Sequence, residues 1–462
     1  MTATPPHLSI VSPADADSAA GFSSRDPNAF PGIMAAIPLG LQHVLAMFVS
    51  NITPAIIVAA AAGIGYGSPD TSAMVYMIQM AMFFAGVATL LQTVSFGPVG
   101  ARLPLVQGTS FSYVPIMVPL VAGKGPGALG MIAAAAFVAG LLHAVLSQFV
   151  GRIRFALPPL VTGLVVLMIA LSLMKVAVQY AAGGVPLEGT PAYGSGISWL
   201  MAGCVVIVTM GFALFARGVW SSAAVLFGLI AGYVLALALG RVDFAAVHQA
   251  GWFTVPQPLH FGWAWSWTAV LGFCLTGFVS SIETIGDVDA ICEGNAGRPA
   301  SKRELQGAVA ADGLGSALAA LFGGMPNTTF SQNVGLVAIT GVMSRHVVTI
   351  GALFLVACGL LPKVGAAIAT IPIEVLGGGV IVMFGMVASA AVAMLAQVAW
   401  SQRNMLVFGI SLSLGLGLQL EPTALQHLPE TARILLTSGI LPAATLAVVL
   451  NLLLPRERKG QE

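Results

Sequence analysis

Charge is the scarcest property of this chain. Only 8% of its 462 residues are Asp, Glu, Lys or Arg, against about 25% in an ordinary soluble domain. Hydrophobic residues make up 57% and the mean hydropathy is +0.94. That composition excludes the soluble multi-domain protein that a length of 462 would suggest at ~150 residues per domain. A net charge of +1 gives no basic face for nucleic acid. Cysteine is also sparse: Cys204, Cys274, Cys292 and Cys358 are scattered, three of them inside apolar runs. They imply neither a disulfide framework nor a metal cluster, and read as small core residues. No HExxH, CxxC, P-loop or GxSxG pattern occurs, so no enzyme chemistry is indicated. Residues 1–30 lack the basic start and apolar stretch of a secretory signal. They read as a disordered cytoplasmic tail, and 455–462 as a second solvated end.

What the chain has instead is a succession of apolar segments, near 33–63, 72–95, 103–121, 127–150, 157–178, 197–215, 219–239, 266–287, 304–323, 329–341, 344–361, 372–397, 404–419 and 432–454. This predicts an all-α polytopic membrane protein of fourteen segments. Several fall short of the ~20 residues that cross a bilayer as a helix. The shortest matched pair, the third and tenth, carry near copies of one polar motif: Thr109-Ser110-Phe111-Ser112 and Thr328-Thr329-Phe330-Ser331. A second pair lies at a nearly equal offset, with Leu157-Pro158-Pro159 opening the fifth segment and Ile371-Pro372-Ile373 the twelfth. Short, interrupted segments in corresponding positions mark discontinuous helices around a midplane substrate site. Two copies of seven segments, an odd number, must insert with opposite topology.

The positive charges test this arrangement independently. With a cytoplasmic N-terminus, Arg25, Arg102, Arg152, Arg154, Arg217, Arg298, Lys302, Arg303, Arg345, Arg403, Arg456, Arg458 and Lys459 fall inside. Lys124, Lys175, Arg241, Lys363 and Arg433 fall outside. Thirteen of the 18 basic residues are thus internal, in accord with the positive-inside rule and with both termini in the cytoplasm.

Ionisable groups within the bilayer are functional candidates by default. Glu283 and Asp287 stand four residues apart on one face of the eighth segment, and Asp312 lies in the middle of the ninth. Two carboxylates on adjacent turns in a low dielectric cannot both carry charge cheaply, the condition a proton carrier needs. Asp287 is either part of that pair or a solvated group at the cytoplasmic end. Asp289, Glu293, Arg298, Lys302 and Arg303 read as a solvated loop. His43 is embedded in apolar sequence and suits either a helix contact or a proton relay; His143 suits a helix contact. The tenth segment begins too polar to face lipid, so its broken helix must line a cavity or be buried. There Gln332 offers the C=O and NH₂ that match a cis-amide edge, Glu283 can accept from ring N–H groups, and Phe111 and Phe330 offer aromatic faces. Asn333 is suited to capping the broken helix.

Gln332-Asn333-x-Gly335-x-x-x-x-Thr340-Gly341 matches the signature Q/E/P-N-x-G-x-x-x-x-T-R/K/G of the nucleobase–ascorbate transporters, also called nucleobase:cation symporter-2. Leu41-Gln42-His43, Gln107-Gly108-Thr109-Ser110-Phe111 and Glu283-Thr284-Ile285-Gly286-Asp287 match further motifs in the same order. The chain therefore resembles that family, in its xanthine and uric acid branch, over nearly its whole length. The resemblance implies two inverted seven-segment repeats with short strands in segments 3 and 10. A core domain would comprise 31–151 and 266–361, and a gate domain 152–240 and 370–454. It implies a homodimer in the bacterial inner membrane whose core moves against its gate as an elevator. Glu283 would bind the base, Gln332 its other edge, and the backbone at Phe111 and Ser331 would add contacts. His43, Asp312, Asp287 and Asn333 would support the site and its proton coupling. Gln332 and Asp287 favour oxopurines, because the uracil branch usually has Glu and often His there, and the ascorbate branch tends to Pro for Gln332. Ser110 departs from the Asn of some xanthine-selective relatives and leaves room for urate. The expected partners are a purine base, a proton rather than sodium, and the bilayer, with no cofactor or metal. The alternatives are a uracil or other nucleobase symporter and, more distantly, an inverted-repeat anion transporter.

Overall fold

The computed structural model describes residues 25–65, 71–153 and 157–455. Most of the two expected tails, together with Arg154, Arg456, Arg458 and Lys459, lies outside the described residues. The principal helices are α1 (Ile33–Ala61), α2 (Ser72–Val94), α3 (Val114–Val121), α4 (Leu129–Leu146), α5 (Pro159–Ala181), α6 (Gly196–Phe215), α7 (Ala224–Ala238), α8 (Trp267–Gly294), α9 (Lys302–Leu321), α10 (Ser331–Thr340), α11 (Arg345–Gly359), α12 (Ile373–Leu395), α13 (Gln402–Leu420) and α14 (Ile440–Leu453). Strands β1 (Gln107–Thr109) and β2 (Asn327–Thr329) precede α3 and α10.

Each apolar segment read from the sequence thus contains a helix, but the helices are unequal. Among the described residues, eight are long and apolar enough to cross a membrane alone, and up to ten if each of two bent pairs is one span. A multi-pass membrane protein follows directly, because helices apolar on all sides belong either in a buried core or in lipid. At 8 and 10 residues, α3 and α10 rise only about 12–15 Å, half the hydrocarbon thickness. The last segment departs from the continuous run expected over 432–454. Glu430–Thr437 and α14 are separate helices bent by 77°. The turn between them passes through Gly439 at φ +74°, a conformation natural to glycine and contrary to helix continuation.

Polar caps set several helix starts. Ser301 accepts the Glu304 amide while the Glu304 carboxylate takes the Ser301 amide, a capping box that opens α9. Arg298 grips the same Glu304 with two nitrogens at 2.9 and 2.5 Å. Ser266 and Ser401 cap α8 and α13 in the same way.

The helices pack in two groups that interleave the halves of the chain. In one, α11 lies on α1 and α2, α9 on α2 and α4, and α8 on α4; in the other, α12 lies on α5, α6 and α7, and α13 and α14 on α5. Close backbone approach holds the second group together. A Cβ on Gly377 of α12 would stand 2.1 Å from the Ala181 amide nitrogen of α5. Backbone cannot yield as a flexible side chain can, so Gly377→Val is expected to force α12 off α5 and cost about 1–3 kcal/mol or more. A lowered midpoint of thermal unfolding in detergent would bear this out, whereas an unchanged midpoint would contradict the close α5–α12 packing.

Candidate substrate site

The site begins with two strands of three residues. β1 and β2 run antiparallel, pairing Gln107 with Thr329, Gly108 with Thr328 and Thr109 with Asn327. Two flanking bonds extend the ribbon: Ser110 N donates to the Pro326 carbonyl at 2.8 Å and Phe330 N to the Val106 carbonyl at 3.0 Å. Side chains from three helices anchor it. Asn51 of α1 accepts from the Thr109 amide (2.9 Å) and hydroxyl (3.2 Å). Thr89 of α2 accepts from the Gln107 amide at 2.9 Å, and Ser316 of α9 from the Asn327 amide at 2.8 Å. From opposite ends of this ribbon the chain enters helical structure at Phe111 and at Ser331.

One face of α8 docks against the ribbon. Ser280 donates to the Thr328 hydroxyl at 3.1 Å, and Thr329 donates to the Asp287 carboxylate at 2.7 Å. Asp312, wholly buried on α9, accepts from Gln92 at 3.1 Å and from Gln107 and Thr284. The Thr329 and Thr284 hydroxyl oxygens lie 3.4 Å apart. Asp312 and Asp287 are thus each bound by a threonine hydroxyl, and the two hydroxyls stand side by side. Glu283 stands apart, half-buried, with Ser112 donating to its carboxylate at 3.3 Å.

Glu283 opens onto a cavity of about 700 Å³, a volume in the range of small-molecule pockets. Phe111, Thr328, Phe330, Ser331 and Gln332 share its wall, and Ile169, Arg217, Met383 and Met386 close it from the other helix group. Thus Glu283, Gln332, Phe111 and Ser331 are brought to one space. Ser110, His43, Asp312, Asp287 and Asn333 are buried behind it and do not form its wall. Asn333 donates to the His43 carbonyl at 3.0 Å and lies 3.2 Å from the His43 Nδ1, tying α10 to α1. Of the two readings of Asp287, the solvated end is excluded: only 6% of it is exposed. His143 is buried on α4 beside Gly277 of α8, a helix contact remote from the cavity wall. Among the described residues, no group of three or more His, Cys, Asp or Glu side chains could hold a metal ion.

Sequence reasoning missed Asn51, Gln92 and Arg217. The first two were findable, since an amide within an apolar helix signals a buried hydrogen-bonding role. Arg217 gave no such signal, because a basic residue between two apolar segments reads as a cytoplasmic loop charge.

Discontinuous helices meeting at a paired ribbon beside a partly open cavity define a multi-pass membrane permease. The profile described as Permease family matches residues 34–423, and the chain belongs to this family, the nucleobase–ascorbate transporters. It is 35% identical over 428 residues to the xanthine permease XanP of Escherichia coli strain K12, covering 90% of this chain and 91% of the relative. To the uric acid permease PucK of Bacillus subtilis strain 168 it is 38% identical over 416 residues, covering 89% and 94%. These relatives are permeases, and so is this chain; it is not an enzyme. Among solved structures it is similar to the transmembrane domain of the cyanobacterial bicarbonate transporter BicA, with a TM-score of 0.56, 15% identity and coverage of 91% and 98%. A second likeness is SLC26A9, with a TM-score of 0.59, 12% identity and coverage of 91% and 66%. At such identities the likeness concerns the fold alone.

Removing the acceptor at the centre of these bonds is expected to be costly. Asp312→Ala leaves Gln92, Gln107 and Thr284 without their shared partner, at about 1–3 kcal/mol for each donor stranded. Asp312→Asn, which keeps the shape and one carbonyl, is expected to lose less. Thermal unfolding of the two variants in detergent checks the order, and equal midpoints would contradict the central role of Asp312.

Proposed function

We propose that this permease takes up oxopurine bases, xanthine and urate, in symport with protons. The observation that carries the reading is that Glu283 and Gln332 share one cavity wall with the rings of Phe111 and Phe330. A planar base stacked near those rings presents ring N–H groups to a carboxylate and an O=C–N–H edge to an amide, the pairing that Glu283 and Gln332 are equipped to make. XanP and PucK, to which the chain is similar along most of its length, are named for xanthine and uric acid.

In this reading α1–α4 and α8–α11 form a core that carries substrate, and α5–α7 with α12–α14 form a gate. Fourteen segments cross the bilayer as inverted repeats, with both termini in the cytoplasm, and two copies of the chain assemble through their gates. The interleaved packing of the two helix groups supports that division, as does the separation of the cavity wall between them. Protonation of Glu283 or Asp312 neutralises the core so that it can slide loaded past the gate; loss of the proton inside weakens the hold on the base. The driving force suffices, since one charge crossing 100 mV is worth about 2.3 kcal/mol.

Uptake of radiolabelled xanthine by cells lacking their own purine permeases tests the reading. Saturable uptake is expected, inhibited by urate and not by uracil, and abolished by a protonophore. Uptake of labelled uracil instead, with none of xanthine, would transfer the chain to the pyrimidine branch. Glu283→Gln is expected to abolish uptake while the protein stays at its normal level in the membrane; near-normal uptake would refute the site assignment. Gln332→Glu is expected to weaken xanthine binding by about tenfold, the worth of a hydrogen bond turned into a repulsive contact.

A further inference from the structure

The wall of the cavity contains two charged side chains, Glu283 from one helix group and Arg217 from the other. Arg217 lies in the turn between α6 and the short helix Val219–Ser222. It is exposed, and among the described residues it takes part in no ion pair or hydrogen bond, so its guanidinium is free to meet a ligand. The turn itself is firmly held. Ser222 donates to the Gly218 carbonyl at 3.1 Å, and Gln42 of α1 donates to the Ser222 hydroxyl at 2.8 Å. Trp220 stacks on Phe227 with ring centroids 5.1 Å apart, and Phe212 on Phe227 at 4.7 Å, which braces both flanks of the turn. Gln42 precedes His43, whose carbonyl receives Asn333, the neighbour of Gln332. A chain of contacts therefore ties the turn that carries Arg217 to the elements that carry the Gln332 amide of the same cavity.

A cation held on one wall of a substrate cavity discriminates by charge. Arginine keeps its charge at any working pH and offers a planar fork of N–H donors to an oxyanion. Urate is a monoanion at neutral pH, and hypoxanthine is neutral. Resting on the oxopurine reading above, we propose that Arg217 is a specificity-determining residue that favours anionic oxopurines over neutral ones by pairing with the delocalised negative charge of the bound base. Glu283 contributes the opposite preference when ionised, so the guanidinium also offsets the repulsion that an anionic base meets at the carboxylate.

Ligand-induced thermal shifts of the purified full-length protein in detergent, titrated with urate and with hypoxanthine, provide the test. Arg217→Gln is expected to raise the half-saturating urate concentration about fivefold, the worth of a partly solvated ion pair, with hypoxanthine little changed. Arg217→Lys is expected to recover most of the urate preference. In the wild-type protein, raising the salt from low ionic strength to 1 M is expected to weaken urate binding more than hypoxanthine binding, because the screening length shrinks to about 3 Å. This last measurement holds even if the glutamine variant fails to fold. Equal changes for both ligands, or none, together with salt-insensitive urate binding, would overturn the role of Arg217 and leave the oxopurine reading intact. If neither purine shifts the wild-type protein, the oxopurine reading fails, and the proposal with it.

Discussion

Three residues of extended backbone in each half of the chain must find hydrogen-bond partners within a protein surrounded by lipid, and they find each other. A helix satisfies its own amides and carbonyls, but a helix broken in mid-membrane does not, and orphaned groups there cost several kcal/mol each. Pairing β1 with β2 removes that cost at a single place and thereby fixes residue 109 against 327 and 107 against 329. Everything functional hangs on that register. It sets where Phe111 and Ser331 begin their helices, and which hydroxyls of β2 meet Asp287 and Ser280 on α8. Slipping the pair by one residue would turn Thr329 from the acid it serves.

The acids divide by what surrounds them. Asp312 accepts from Gln92, Gln107 and Thr284, and Asp287 from Thr329, and these bonds knit α2, α8, α9 and both strands into one body. Glu283, four residues from Asp287 on the same helix, has one donor, Ser112, and otherwise faces the cavity. A carboxylate with one donor and an open cavity before it is available to a ligand, whereas Asp312, with three donors and no exposure, holds structure together. The same contrast separates Gln332, on the cavity wall, from Asn333, which is spent on joining α10 to α1.

Hydropathy and repetition carried most of the fold. The copies of the Thr-Ser-Phe-Ser motif located both broken helices, and the spacing of Glu283, Gln332 and Phe111 anticipated residues that share a cavity although up to 221 positions apart in the 462-residue chain. The misjudged end of the chain has a local cause: 432–454 is mostly apolar, and the turn at Gly439, with its positive φ, breaks the helix there. Arg217 is an exposed turn residue, as a charge between two apolar runs suggests, but hydropathy carries no information that the turn also borders the cavity.

By itself the sequence determined the class, the membrane setting and the matched pair of broken helices, because each follows from composition or from local pattern. Tertiary structure decided which of those residues face empty space and which are consumed by the framework. It also decided that Asp287 is buried and that a cation from the second helix group lines the same cavity as Glu283. These outcomes depend on contacts between segments hundreds of residues apart, and no local pattern encodes which side chains share a cavity.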